Sequence, residues 1–187
     1  MKTEEATIED LYRVPENGKA ELVRGKLVYF SPTGALPGRS SSEIYISLRQ
    51  YERTVGGGFA LPDNVGIVVN LPHRRSFSPD AAFHAGPLPP GGQFVTGAPV
   101  FAAEVRSEND YGPQAEREMA AKRADYFAAG TLVVWDVDIL QARVVRVYRA
   151  GADPDRPDVF SAGDVADAEP AVPGWRLPVD DLLPAAP

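Results

Sequence analysis

An α/β (mixed α+β) fold, with a mixed central β-sheet flanked by helices, is predicted by three observations. The order of elements reads helix, hairpin, helix, strands, helix, hairpin, which suits a sheet with helices packed against it. The segment PVFAAEV, residues 99–105, is apolar or small at all but one position, as in a strand covered on both faces. The chain has 187 residues, 44% of them hydrophobic. That is enough for one well-buried core and short for two, so a single domain over 1–187 is expected.

Thr7 followed by Asp10 has the spacing of a capping box and opens a short helix that ends before Pro15. ELVRGKLVYF reads as a hairpin turning at Gly25, with β-branched and aromatic residues favouring its second strand. SPTGALPGRSSS reads as a loop whose serines cap the next helix. In that helix Ile44, Leu48, Tyr51 and Val55 form an apolar stripe, and the glycines at 56–58 end it.

VGIVVNL, residues 65–71, reads as a strand, followed by the basic turn HRRS and the short segment SPDAAF. Pro79 cannot donate to a sheet ladder, so Asp80 belongs at a strand start or a bulge. The Gly- and Pro-rich stretch 86–99 is expected as a surface loop. YGPQAEREMAAKRADYFAAG is a helix with Pro113 in its first turn and Gly130 as its stop. TLVVWDVD and ARVVRVYR form an antiparallel hairpin. In the tail PGWRLPVDDLL, residues Trp175, Leu177, Leu182 and Leu183 are expected to dock on the domain.

Composition excludes several classes. No apolar run approaches the roughly 18 residues of a membrane span, and the acidic N-terminus lacks an apolar signal segment, so a soluble cytoplasmic protein is expected. The absence of cysteine excludes disulfides, Fe–S clusters and thiolate zinc sites. A net charge of -7 argues against a protein that coats nucleic acid generally. A small basic patch remains open, with Arg39, Arg74, Arg75, Arg106, Lys122 and Arg123 as contributors. The two histidines, His73 and His84, are expected in surface or loop positions and make no zinc site.

The charge in the buried-looking strand is Glu104. A buried carboxylate requires pairing, hydrogen bonds or a metal. Asp80, beside another apolar run, is one partner: two carboxylates repel, and a hard divalent cation between them reverses that penalty. Mg2+ suits such a pair, since it relies on one or two carboxylates plus water and phosphate. Helical spacing puts Ala115, Met119, Lys122, Tyr126 and Ala129 on one stripe, so Lys122 falls on the face toward the sheet. Its ammonium can then reach the carboxylates and stabilise charge on a phosphate. The plainer alternative is a structural Glu104–Lys122 ion pair, with Asp80 a strand-start residue.

The order and spacing of GKAELVRGKLVYFSP, SPDAAF, AAEVRS, the K-x-x-x-Y-x-x-A-G helix, VVWDVD and PGWRLPVDDLL resemble the Uma-two family of restriction-endonuclease-like proteins, a branch of the PD-(D/E)XK nuclease superfamily. The resemblance implies a restriction-endonuclease-like core and hydrolysis of DNA phosphodiester bonds with Mg2+ or Mn2+ at the sheet's end. It implies Asp80 and Glu104 as metal ligands, the carbonyl of Val105 as a third oxygen, Lys122 as the catalytic lysine, and Glu21 as an outer metal or water ligand. Two departures stand out. Arg106 replaces the superfamily's lysine two residues after the acidic ligand, and a guanidinium cannot act as a base. RSSSE, residues 39–43, replaces a frequent histidine, with Ser41 or Glu43 as stand-ins. The alternatives are a catalytically degenerate nuclease fold acting as a binding or regulatory module, and an interaction protein forming a homodimer.

Overall fold

The structure is a computed structural model that describes residues 5–15 and 18–184. Helix α1 (Ile8–Tyr12) opens on the capping box read from the sequence: Asp10 N–H donates to Thr7 Oγ1 at 3.3 Å, and Thr7 N–H to Asp10 Oδ2 at 2.9 Å. Strands β1 (Lys19–Val23) and β2 (Lys26–Phe30) form an antiparallel hairpin. Arg24 and Gly25, at φ 49° and 68°, make its turn, two successive left-handed residues as a tight hairpin requires.

Helix α2 (Ala35–Thr54) follows, then β3 (Phe59–Leu61), β4 (Ile67–Val68), β5 (Ser76–Phe77), β6 (Ala81–His84), β7 (Val95–Thr96) and β8 (Phe101–Val105). Helix α3 (Pro113–Ala129) connects β8 to β9 (Val133–Asp138), and β10 (Val144–Arg149), β11 (Asp158–Ser161), β12 (Val165–Asp167) and β13 (Arg176–Pro178) complete the strands.

The central sheet has six strands in the order β11-β10-β9-β8-β6-β3. Only β8 and β9 run parallel, and α3 is their crossover; the other neighbours are antiparallel. The sheet is therefore mixed, as expected. A small sheet, β5-β4-β7, lies beside it.

Alternation along the strands divides the core. Phe101, Ala103 and Val105 share a face with Val133, Trp135 and Val137, and pack against Ile44 and Leu48 of α2 and against Val172, Trp175 and Leu182 of the tail. Ala102 and Val134 face the other way, toward Tyr126 of α3 and Ile67, Phe77 and Val95 of the small sheet. Glu104, two residues beyond Ala102, continues that second face.

Several sequence expectations change. Residues 35–42 are helical rather than loop, and Gly34, not a serine, precedes the first turn. Pro37 is tolerated there because first-turn N–H groups lack intrahelical partners. Ser41 and Ser42 bond back to the Gly38 carbonyl at 2.9 and 2.8 Å. Val55 is exposed, so the apolar stripe of α2 ends at the partly buried Tyr51. Of residues 65–71, only Ile67–Val68 pairs as a strand, and the stretch 86–99 contains β7. Among the described residues no helix is long and apolar enough to cross a membrane.

The tail docks as read. Trp175 stacks on Trp135 at a centroid distance of 5.0 Å, and its Nε1–H donates to Ser47 Oγ at 3.0 Å. Trp175→Ala is expected to cost about 3–5 kcal/mol of stability, the usual range for removing a buried aromatic. Urea unfolding measures this, and a loss below about 1 kcal/mol would mean that the tail contributes little to the core.

Candidate active site

The site forms at the end of the central sheet where Pro79 closes the β6 ladder. Ala81 pairs with Ala103, and just beyond that pair Asp80 N–H donates to the Ala103 carbonyl at 3.1 Å. Val105 N–H in turn donates to Asp80 Oδ2 at 2.8 Å. Asp80 and Glu104 continue the rows of Ala82 and Ala102, so both lie on the α3 side of the sheet. In an extended strand the N–H and C=O of one residue point the same way, so the Val105 carbonyl also faces the Asp80 side.

The hairpin supplies a second pair. Lys19 and Glu21 are two residues apart on β1 and share a face. β1 is held beside β5 by Leu22, whose N–H donates to Ser76 Oγ at 2.7 Å and whose carbonyl accepts from Arg75 N–H at 2.9 Å. Lys19 Nζ then lies 2.7 Å from both Asp80 Oδ1 and Asp63 Oδ1.

Helix α3 completes the site. Lys122 Nζ lies 2.9 Å from Glu21 Oε1 and 2.9 Å from the Glu104 carboxylate. One turn later, Tyr126 O–H donates to Glu104 Oε1 at 2.6 Å. Glu21 is only 1% exposed. Its remaining bonds come from Ser78 N–H at 3.0 Å and Arg74 Nη1 at 2.5 Å. Arg74 also donates through Nε to Asp125 at 2.7 Å, and the same carboxylate meets His73 Nε2 at 2.6 Å.

These contacts set the charges. Burial pushes the Glu104 carboxyl above the ordinary range, and the neighbouring Asp80 and Glu21 charges add to this against the pull of Lys122. Burial acts on Glu21 in the same direction, but Lys122 and Arg74 outweigh it and hold that carboxyl low. For Lys122, burial is opposed by Glu104 and Glu21, and for Lys19 chiefly by Asp80 and Glu104; both ammonium groups are held above their ordinary values. Tyr126, raised well above the ordinary phenol value by burial and by Glu104, stays protonated.

The structure thus brings Asp80, Glu104, Val105, Lys122 and Glu21 together. Both oxygens of Glu21 are taken by protein donors. Among the described residues no three His, Cys, Asp or Glu side chains converge as a metal cluster. Two carboxylates and a backbone carbonyl are nonetheless a hard-oxygen donor set of the kind Mg2+ and Mn2+ accept when water fills the other positions. The Lys19 and Lys122 ammonium groups mark that same spot as one requiring positive charge.

Other residues lie elsewhere. Arg106 is buried and committed to other carboxylates, with two 2.7 Å bonds to Asp136 and bonds of 2.5 and 3.1 Å to Glu116. With Arg74 and Lys122 also paired internally, half of the expected basic patch belongs to the interior; Arg123 stacks over the Tyr148 ring at 3.6 Å. Ser41 bonds within α2, and Glu43 pairs with Arg39 at 3.5 Å. His84, expected at the surface, is 3% exposed at the end of β6, and burial lowers its pKa.

Sequence reasoning missed Lys19, Arg74 and Tyr126 as site groups. Lys19 had a signal in its period-two spacing from Glu21, and Tyr126 in its place one turn after Lys122. Arg74, expected only as part of a basic patch, gave no sign of its carboxylate partners, which are 53 and 51 residues away.

The model of the Uma-two family, described as "Putative restriction endonuclease", matches residues 7–180. No curated protein matches. Among solved structures, a crystal structure of "a putative nuclease belonging to DUF820" from Anabaena variabilis ATCC 29413 superimposes with a TM-score of 0.74 at 17% identity. The match covers 94% of this chain and 96% of that one, and at this identity it shows the shared fold.

The two carboxyls that share Lys122 affect stability in opposite ways. Glu104 holds its proton more tightly when folded, so stability falls as pH rises from the ordinary carboxylate range through its raised pKa. Glu21 contributes stability above the ordinary range that is lost as pH falls through its lowered pKa. Urea unfolding stepped through mildly acidic pH should show the first decline in the wild type and not in Glu104→Gln. Parallel curves would contradict a raised Glu104.

Proposed function

This chain belongs to the Uma-two family, and on that premise we propose that it is a nuclease hydrolysing DNA phosphodiester bonds with Mg2+ or Mn2+. The observation that carries the reading is the placement of Asp80 and Glu104 on one face at the sheet's end, with an ammonium group on each flank. Asp80, Glu104 and the Val105 carbonyl would hold the metal. When bound, it supplies Lewis-acid polarisation of the phosphate and a coordinated water of lowered pKa.

The side chains divide the remaining work. Lys122, kept protonated by Glu104 and Glu21, is a donor and not a base; it neutralises charge that develops on a phosphate oxygen. It takes the place that Arg106 cannot fill, since that guanidinium is fixed on Asp136 and Glu116. Glu21 is assigned the positioning of Lys122 rather than contact with water or metal, because its oxygens are already bonded. Tyr126 fixes the Glu104 carboxylate, and Lys19 is a second phosphate donor on the Asp80 side.

A second reading rests on the same contacts. The carboxylates are already matched by Lys19, Lys122, Tyr126 and Val105 N–H. A self-neutralised cluster of this kind suits a catalytically degenerate binding module.

Two measurements separate the readings. Calorimetric titration with Mn2+ should give binding to the wild type and none to Asp80→Asn. Mn2+-dependent DNA cleavage should fall in Glu104→Ala by more than the roughly 10–100-fold typical of losing an outer metal partner. Wild type that binds no more Mn2+ than Asp80→Asn supports the degenerate module, and cleavage equal in wild type and Glu104→Ala assigns the activity to a contaminant.

A further inference from the structure

Phe30 ends the second hairpin strand and pairs across it with Lys19, which puts its ring on the face that carries Lys19 and Glu21. The ring centroid is 5.8 Å from Lys19 Nζ and 5.6 Å from Lys122 Nζ, so one aromatic ring spans both ammonium groups. Unlike Tyr126, which also approaches Lys122 but is fully buried, Phe30 is 38% exposed. Burying a ring elsewhere in this core is routine; here an apolar surface is left open at the rim of a cluster of charged groups.

We propose that Phe30 is a base-stacking shelf, and that the substrate is DNA with an unpaired base beside the scissile phosphate, either single-stranded or locally opened. This rests on the nuclease reading of the site. Ammonium groups recognise the phosphate of a nucleotide, and an open ring next to them recognises the base attached to it, whatever its identity. A base inside a duplex is stacked on both faces and has no free face for Phe30, so the base that meets it is unpaired.

The distribution of charge points the same way. Duplex affinity comes from rows of lysine and arginine on phosphates. Here the guanidinium groups nearest the site, Arg74 and Arg106, are both paired internally with carboxylates, in a chain of net charge -7. A compact seat of two lysines and one ring suits a short unpaired segment better than a long duplex footprint.

The test uses a short fluorescein-labelled single strand and a hairpin duplex of the same sequence, with binding read by anisotropy in Ca2+ and cleavage followed in Mn2+. Phe30→Ala should weaken single-strand binding at least about fivefold, the low end of the loss of one stacked base, and leave duplex binding unchanged. Phe30→Trp should retain affinity and show indole fluorescence quenched by the single strand, above the background of the buried Trp135 and Trp175. Equal single-strand affinity in Phe30→Ala and wild type, or an equal loss on both probes, overturns the shelf. Cleavage that requires Glu104 and ignores Phe30 also overturns it while the nuclease reading stands. Phe30-dependent single-strand binding without Mn2+-dependent cleavage supports the shelf and removes the nuclease reading.

Discussion

One ammonium group shared by two carboxylates, Lys122 between Glu21 and Glu104, joins the hairpin, the central sheet and α3. Taking an ion such as Glu21 out of water costs several kcal/mol unless its charge and lone pairs are met. They are met from three directions: Lys122 on α3, Arg74 between the small-sheet strands, and the Ser78 backbone at the approach to β6. Each donor is held in its own element, so the carboxylate fixes how those elements meet. Arg74 extends the tie to Asp125, one turn before Ala129 on the same helix as Lys122.

A second ionic group on the same face explains why the cation that pairs with Glu104 comes from the helix. Glu104 pairs in register with Asp136 of β9, so a further negative charge lies directly beside the site. Arg106 covers it with a two-pronged contact and reaches on to Glu116 in the first turn of α3. Arginine suits this work because its planar fork meets a carboxylate with two bonds at once. A lysine at 106 cannot make that pairing. With Arg106 committed to Asp136, the positive charge on Glu104 comes from Lys122, and Glu21 keeps that lysine in place and protonated.

Much of this was legible along the chain wherever the cause is local. Thr7 and Asp10 announce their capping box, Gly25 its turn, and Pro79 the end of a ladder with Asp80 at its edge. The stripe of Met119, Lys122 and Tyr126 places the lysine toward the sheet. Long-range causes were not legible. Residues 35–42 look like a loop by composition; Pro37 is tolerated in the first turn of α2, and the burial of Pro37, Ser40 and Ser41 that goes with the helix is not visible in that composition. Lys19 and Arg74 look like solvated surface charges until β1 closes on β5 and brings them to Asp80 and Glu21. His84 looks like a loop residue, but β6 carries it into the interior between β3 and β8.

Anomalous diffraction from crystals soaked in Mn2+ tests whether Asp80 and Glu104 form a divalent-metal site. A single strong peak bounded by Asp80, Glu104 and the Val105 carbonyl is expected, with Lys19 Nζ displaced from Asp80 and Lys122 still on Glu21. Crystals that show no peak there, with Lys19 and Lys122 both remaining on the carboxylates, would contradict it.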